Sequence, residues 1–232
     1  TIKDLAGMLN VSQESIRRDV RPLTESHTLV RIHGAVALPH FYTEAPFERR
    51  MRENAAEKAA IAKLAAAGIN DGDSLMFDTG TTTSLIARQL LSHKNLTVVT
   101  NSSDIARTLS TVNGNTVYMA GGKLRGDNGA AFGSMAIGLI TSFRVRHAFV
   151  SISAIDAVTG PMDATLEEAE LARAVLTQGE IATIVTDHSK FNRSALVKVC
   201  EFAMIDRIIT SAPPPAELAS HLDSAGVAIQ IA

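Results

Sequence analysis

The sequence predicts an α/β chain in two parts: a small winged helix-turn-helix, then a larger doubly wound domain built on a mainly parallel sheet. Three observations predict it. Residues 1–39 carry two short helical patterns, a tight turn between them, and an alternating hairpin signal after them. Beyond residue 57, strand-like and helix-like stretches alternate, as they do in a parallel sheet covered on both faces. The hydrophobic residues, 46% of 232, are aliphatic, with 4% aromatics and no Trp, a composition that suits helices packed on such a sheet.

The first part follows from its caps and apolar spacing. Thr1 suits an N-cap and Asp4 the first turn, after which Ile2, Leu5 and Leu9 share one helical face. Asn10 and Val11 break that helix. Ser12 caps a second one over 11–23, with Ile16, Val20 and Leu23 expected as its buried stripe and Arg17, Arg18 and Arg21 projecting elsewhere. Pro22 removes a backbone donor, so the helix is expected to stop or bend there. Residues 29–36, L-V-R-I-H-G-A-V, alternate before a glycine turn and predict the wing. Residues 40–57 mix aromatics, Pro46 and balanced charges and are expected to be a linker.

The second part is expected over 58–232. Helix over 57–67 precedes strand over 74–77; helix over 83–91 precedes strand over 96–100; helix over 103–109 precedes strand over 116–119. A Gly-rich stretch leads to a strand over 147–152. Helix over 164–176 then precedes strand over 181–186, and helix over 216–222, opened by Pro213, Pro214 and Pro215, precedes a closing strand over 227–231.

Composition narrows the function classes. No apolar run approaches the roughly 20 residues of a membrane span, and the start does not resemble a signal peptide. The single Cys200 rules out an internal disulfide framework and fits a reducing compartment, so a soluble cytoplasmic protein is expected. Seven scattered His, with no H-x-H pair, show no metal-ligand spacing, and no cofactor is called for. A net charge of −2 does not advertise nucleic acid, and residues 1–39 carry five Lys/Arg against four Asp/Glu. Position decides more than charge. The arginines sit on the second helix of a helix-turn-helix, where Ser12, Gln13 and Ser15 could reach base edges or phosphates and Arg17, Arg18 and Arg21 phosphates. Arg31 and His33 of the wing could touch the adjacent backbone or minor groove. The plain alternative is an amphipathic helix with a solvated basic face.

The most informative stretch of the second part is F-D-T-G-T-T-T over 77–83, directly after a strand and opening a helix. Gly80 would let the backbone turn, and the amides and hydroxyls of Gly80, Thr81, Thr82 and Thr83 would face an anion at a helix N-terminus. A hydroxyl-rich cap with no ligand fits these residues equally well. The same letters present the catalytic Asp of aspartic proteases, but that chemistry needs two carboxylates sharing a proton, and D-T-G occurs once here, among alternating strands and helices.

Residues 11–20, V-S-Q-E-S-I-R-R-D-V, followed by Leu23, resemble the DeoR-family signature V-S-x-x-T-I-R-R-D-[LI]-x-x-L. Arg31-Ile32-His33-Gly34-Ala35 resembles that family's wing, with Ala35 in place of a glycine. Phe47, Arg50, Glu57-Lys58, Asp78-Thr79-Gly80-Thr81-Thr82, Val99-Thr100-Asn101-Ser102, Gly121-Gly122 with Arg125, and Asp187-His188-Ser189-Lys190-Phe191 are similar to the family's effector-domain motifs, in family order. The resemblance implies one further helix ahead of Thr1, and a second domain with the fold of ribose-5-phosphate isomerase and glucosamine-6-phosphate deaminase. It also implies a sugar-phosphate pocket at the strand C-termini, with the loop of Gly80, Thr81, Thr82 and Thr83 at the phosphate, Lys190 and Arg125 as cations, Thr100, Asn101, Gly122 and Asp156 toward the sugar, and Asp78, Thr79 and Ser153 among the other effector contacts. Residues 149–155 depart from the pattern: Ser151 and Ser153 stand where glycines are usual and would narrow or polarise the pocket.

The implied protein is a repressor of a carbohydrate operon that binds double-stranded operator DNA as a homodimer or homotetramer. A phosphorylated sugar or polyol would release it, and an opine-derived sugar phosphate is one candidate. Against it stand an isomerase- or deaminase-like enzyme with an accessory N-terminal domain, disfavoured by the single carboxylate Asp156, and a helix-turn-helix used only for protein contacts.

Overall fold

The computed structural model describes residues 1–25, 29–32, 35–37 and 44–232. The chain forms two compact units, Thr1–Ala45 and Pro46–Ala232.

In the first unit, helix α1 (Ile2–Leu9) opens on a capping box: Thr1 and Asp4 each bond the other's backbone N–H. Asn10, at φ 51°, turns the chain out of it. Ser12 Oγ accepts from the Ser15 amide 3.0 Å away and starts α2 (Gln13–Glu25). Pro22 does not end this helix, which runs on to Glu25. The proline lies on the exposed side, where water can take the Arg18 carbonyl that its missing N–H leaves unpaired. The core of the unit is Ile2, Ala6, Ile16 and Val20. Leu9 and Leu23, expected to extend the two stripes inward, remain 63% and 42% exposed, because a stripe is buried only as far as a partner covers it. Strands β1 (Val30–Ile32) and β2 (Ala35–Ala37) pair antiparallel, Arg31 opposite Val36, which gives the expected wing. His33 and Gly34 lie outside the described residues.

The second unit begins earlier than expected. The stretch read as a linker holds helix α3 (Phe47–Arg52), whose Phe47 is buried, and the first turn of α4 (Ala55–Ala66). There follow β3 (Ser74–Phe77), α5 (Thr81–Gln89), β4 (Thr97–Thr100), α6 (Ser103–Leu109), β5 (Thr116–Met119) and α7 (Ser134–Ile140). Next come β6 (Val145–Ser151), β7 (Ala154–Asp156), β8 (Gly160–Asp163), α8 (Leu166–Gln178), β9 (Gly179–Thr186), β10 (Val197–Lys198), β11 (Arg207–Thr210), α9 (Ala216–Ser224) and β12 (Ala228–Ile231).

Seven of these strands make one sheet in the order β12-β11-β9-β6-β3-β4-β5, and every neighbouring pair is parallel. Successive residues alternate between its faces. Leu75, Phe77, Val98, Phe149, Val185 and Ile209 pack under α4, α5 and α6. Met76, Val99, Ala148, Val150, Ile184 and Ile208 pack under α7, α8 and α9. Both faces are covered over the central strands, which are accordingly mainly apolar, while the edge strands β5 and β12 are largely exposed. β7, β8 and β10 form a separate three-stranded antiparallel sheet. Among the described residues, no helix is long and apolar enough to cross a membrane.

The winding reverses once. From β3 the chain proceeds outward through β4 and β5; it then returns to the other side of β3 as β6 and proceeds through β9, β11 and β12. The flanking connections beyond the C-terminal ends of β3 and β6 thus lead in opposite directions, which makes this the switch point, the place where open parallel sheets hold ligands in a crevice.

Candidate functional site

Register places three polar residues side by side at this switch point. Phe77 pairs with Thr100 on one side and Phe149 on the other, so Asp78 follows β3 as Asn101 follows β4, with Ser151 ending β6 beside them. Asp78 is buried. Its Oδ2 accepts from the Ser151 amide at 3.0 Å and the Ser151 hydroxyl at 3.3 Å, while Oδ1 is buried with no hydrogen-bond partner. Burial pushes the Asp78 carboxyl up to about 7, hydrogen bonding from the Ser151 amide, the Thr83 hydroxyl and the Ser151 hydroxyl opposes it, and the nearby charge of Glu168 adds a smaller push upward.

Gly80 is the N-cap of α5, and no side chain caps the helix there. Its backbone is extended (φ −167°, ψ 161°), so it does not serve as the tight turn expected of it. Close approach explains the glycine instead: a Cβ at this position would lie 1.9 Å from Ser151 Oγ and 2.8 Å from Ser151 Cβ. Thr83 Oγ1 donates to the Gly80 and Asp78 carbonyls at 3.1 and 3.3 Å and braces the loop. Thr81 and Thr82 are buried beside it, and the Thr79 hydroxyl has no partner. The first amides of the helix are left to face the crevice, with the positive end of its dipole.

Asn101 is fully buried, and it does not cap the next helix. That role falls to Ser102, whose hydroxyl accepts from the Ile105 amide at 3.4 Å. Asn101 Nδ2 donates to the Ala131 carbonyl at 2.9 Å, leaving its Oδ1 buried and unpartnered. Thr100 Oγ1 accepts from the Ser102 amide. Gly122 sits in the exposed loop beyond β5 at φ 131°, a conformation that favours glycine.

Several cations surround the strand ends. Arg125 stacks over Phe132 and bonds Asp127 through Nε and one Nη, and Glu168 through the other at 3.0 Å. Glu168 also influences Asp78, which ties this cluster to the crevice. Hydrogen bonding to Arg125 holds the Asp127 carboxyl below its usual range, and Arg50 of α3 adds to that. Lys58 of α4 is buried, with Nζ donating to the Arg50 carbonyl at 2.6 Å. Burial pushes its ammonium down, Asp187 opposes, and Lys190 and Arg50 push down again, so Lys58, Asp187, Lys190 and Arg50 share one electrostatic neighbourhood. Asn54 fastens α4 to it, donating to Asp187 Oδ1 at 2.9 Å and Ser189 Oγ at 3.1 Å. Sequence reasoning missed Asn54, Asp127 and Glu168, whose importance lies in partners far along the chain.

Two expected residues have local duties. Asp156 Oδ1 accepts from the Val158 and Thr159 amides at 2.9 and 2.6 Å, closing the turn between β7 and β8. The Ser153 amide donates to Asp163 Oδ1 at 3.0 Å, joining β6 to the small sheet. His147, buried and pushed down by that burial, lies near the other end of β6 beside Asp73.

On the first unit, α2 turns Gln13, Arg17, Arg18 and Arg21 outward. Each arginine has an ion pair on its own helix: Arg17 with Glu14 at 3.4 Å, Arg18 with Asp19 at 3.5 Å, Arg21 with Glu25 at 3.1 Å. Such exposed pairs are worth about 0–1 kcal/mol, so they yield readily to a stronger anion. Ser12 and Ser15 hydroxyls bond one another at the helix start, and Arg31 lies in β1.

The model of the DeoR C terminal sensor domain matches residues 53–212, and that of the DeoR-like helix-turn-helix domain matches residues 1–41. The chain is 33% identical over 229 residues to the glycerol-3-phosphate regulon repressor of Escherichia coli, covering 99% of this chain and 91% of that protein. It is 32% identical over 228 residues to the transcriptional repressor CsqR of the same organism, covering 98% and 87%. A ribose 5-phosphate isomerase from Methanocaldococcus jannaschii superimposes with a TM-score of 0.42 and 15% identity, over 60% of this chain and 55% of that one, a likeness too loose to bear on the site.

Proposed function

This chain belongs to the DeoR family, and on that premise we propose that it represses a carbohydrate-catabolism operon and leaves its operator when a phosphorylated sugar or polyol binds. The observation that carries the sensing half is the switch point of the sheet, where a helix N-terminus with no side-chain cap meets the buried Asp78 and Asn101 side chains, each with an oxygen lacking a hydrogen-bond partner. Phosphate suits the 80–83 loop, with Arg125 and Lys190 as countercharges. Thr79, Thr100, Asn101 and Gly122 line the remainder, and Ser153 and Asp156 support the wall through their own hairpin. Residues 1–45 read DNA through Ser12, Gln13, Ser15, Arg17, Arg18, Arg21, Arg31 and His33. The protein acts in the cytoplasm as a homodimer or homotetramer, since a two-fold operator needs two copies of the helix. Relatives named as repressors favour a regulator over an enzyme.

The test is operator binding by fluorescence anisotropy, with and without phosphosugars. Affinity should fall steeply with salt, by about 0.9 in log–log slope for each phosphate neutralised. Arg17→Ala or Arg18→Ala should each cost roughly 1–2 kcal/mol of operator binding, about five- to thirtyfold, and lower that slope while circular dichroism stays unchanged. Wild-type affinity in both variants would remove α2 from the DNA interface. A phosphosugar that binds without changing operator affinity would end the sensor mechanism, and one that is chemically converted would favour an enzyme.

A further inference from the structure

The edge of the large sheet at β5 is open. The Thr116 and Ala120 amides donate toward β4, to the Leu96 and Thr100 carbonyls at 2.8 Å. Strand groups alternate in direction, so Val117 and Met119 turn their amides and carbonyls outward, where no described strand pairs with them. Proteins that stay monomeric blunt such an edge with lysine, proline or a bulge, and β5 has none of these.

The surface beside this edge carries no charge. Asp, Glu, Lys and Arg make up 20% of the chain, yet residues 108–122 and 128–143 contain none of them, and no His. Tyr118 and Met119 of the strand are exposed, as is Leu124 in the loop that follows, and Met135 of α7 is 72% exposed. The Tyr118 ring lies 4.8 Å from that of Phe143 on the α7 side of the sheet. A Cβ on Gly122 would meet Met135 Cβ at 3.8 Å, so the end of the strand and the start of the helix form one surface. Exposed aromatic and methionine side chains without charges are the composition of an interface core. At the opposite edge, beside β12, helix α9 exposes Glu217, His221 and Asp223.

We propose that a second copy of this chain docks here, β5 against β5 antiparallel, across a two-fold axis that passes at Tyr118. A two-fold sets a surface against itself, so a charge near the axis would meet its own like charge. A neutral patch is therefore its own electrostatic complement, and an antiparallel strand pair has the same symmetry. Setting Val117 of one copy opposite Met119 of the other satisfies every outward group of both residues and places Tyr118 opposite itself. The sheet then continues through both copies, with the two α7 helices on one face. This inference rests on the homo-oligomer reading and assigns it a surface.

Analytical ultracentrifugation of the full chain tests it. Met119→Lys puts an edge-blocking charge on the strand, and Met135→Glu puts an acid into the first turn of α7, where a helix accepts it. Each should halve the mass of the wild-type assembly or raise its dissociation constant about tenfold or more, with circular dichroism unchanged. Ile231→Lys, on the exposed side of the opposite edge, should leave the assembly as it is. A second measurement depends on a gain and not a loss: Tyr118→Cys should give a covalent dimer under mild oxidation. Residues facing each other in a non-hydrogen-bonded pair have Cα atoms about 4.5 Å apart, within disulfide range. The wild-type chain, whose Cys200 is buried, should give none. Unchanged assembly in both charge variants would overturn the proposal and leave the homo-oligomer reading standing. So would dissociation by Ile231→Lys alone, or a Tyr118→Cys chain that assembles without cross-linking. A wild-type chain that stays monomeric at tens of micromolar would remove the homo-oligomer reading, and this inference with it.

Discussion

Asp78→Asn should make the unliganded protein more stable at pH 8, although it replaces a hydrogen-bonded residue at the heart of the crevice. The wild-type carboxyl titrates near 3.8 when unfolded and at about 7 when folded. Below the lower value it is protonated in both states and has no effect. Between the two the native state holds the proton more tightly, so stability is lost as pH rises and levels off above about 7. The full span is about 4 kcal/mol, since each pKa unit is worth about 1.4. Asparagine keeps the shape and the acceptor for Ser151 but never ionises. Its amide nitrogen inherits the unpartnered Oδ1 position at a cost of about 1–2 kcal/mol. The variant should therefore be no more stable than wild type at pH 4 and about 2 kcal/mol more stable at pH 8, a rise of roughly 4–8 °C in Tm for a unit this size. Urea or thermal unfolding at both pH values measures it. A deficit of the same size at both would mean that Asp78 is not a buried charge in the folded protein.

Gly80→Ala should cost about 2–3 kcal/mol, far more than an extended glycine normally accounts for. The loss comes from overlap with Ser151, not from dihedral strain, because a Cβ would fall 1.9 Å from its Oγ and 2.8 Å from its Cβ. Turning the serine rotamer removes the first contact and not the second, so β6 and the loop must part. Ser151→Gly alone should cost about 1 kcal/mol, from backbone freedom and the lost bond to Asp78. The double variant should recover most of the Gly80→Ala loss, giving a coupling of about 2 kcal/mol in a double-mutant cycle. Strict additivity would show that the two positions do not touch.

The large sheet was legible because its central strands are short, mainly apolar runs buried on both faces, with helical patterns between them. What escaped notice was held by partners and not by pattern. β8 contains Gly160 and Pro161 and is fixed by bonds to its neighbours, such as the Ser153 amide donating to the Met162 carbonyl. β11 is four residues long and follows a turn, and α7 lies inside a glycine-rich stretch with Gly138 in its interior. α3 looks like linker because it is six residues long and largely charged, yet one buried aromatic, Phe47, is enough to seat it. Within the site, the 78–83 loop announced itself through its glycine and hydroxyls, and Ser151 through its departure from glycine. Glu168 gave no signal, because its meaning depends on an Arg125 that lies 43 residues away.

The Ser151-to-Asp78 bond spans 73 residues, and the chain makes α5, β4, α6, β5 and α7 before β6 can return to lie against β3. Loop-closure entropy grows with the logarithm of that span, and non-local pairings are the slow part of folding. The crevice is thus assembled late on the way to the native state. Contacts made after the barrier act on escape and not on arrival. Ser151→Gly should accordingly hasten unfolding while refolding keeps close to the wild-type rate, and a bound effector should prolong the native lifetime without speeding its formation. For a regulator this separates two clocks: how soon a new copy becomes competent is set by the sheet, and how long it endures is set by what occupies the crevice.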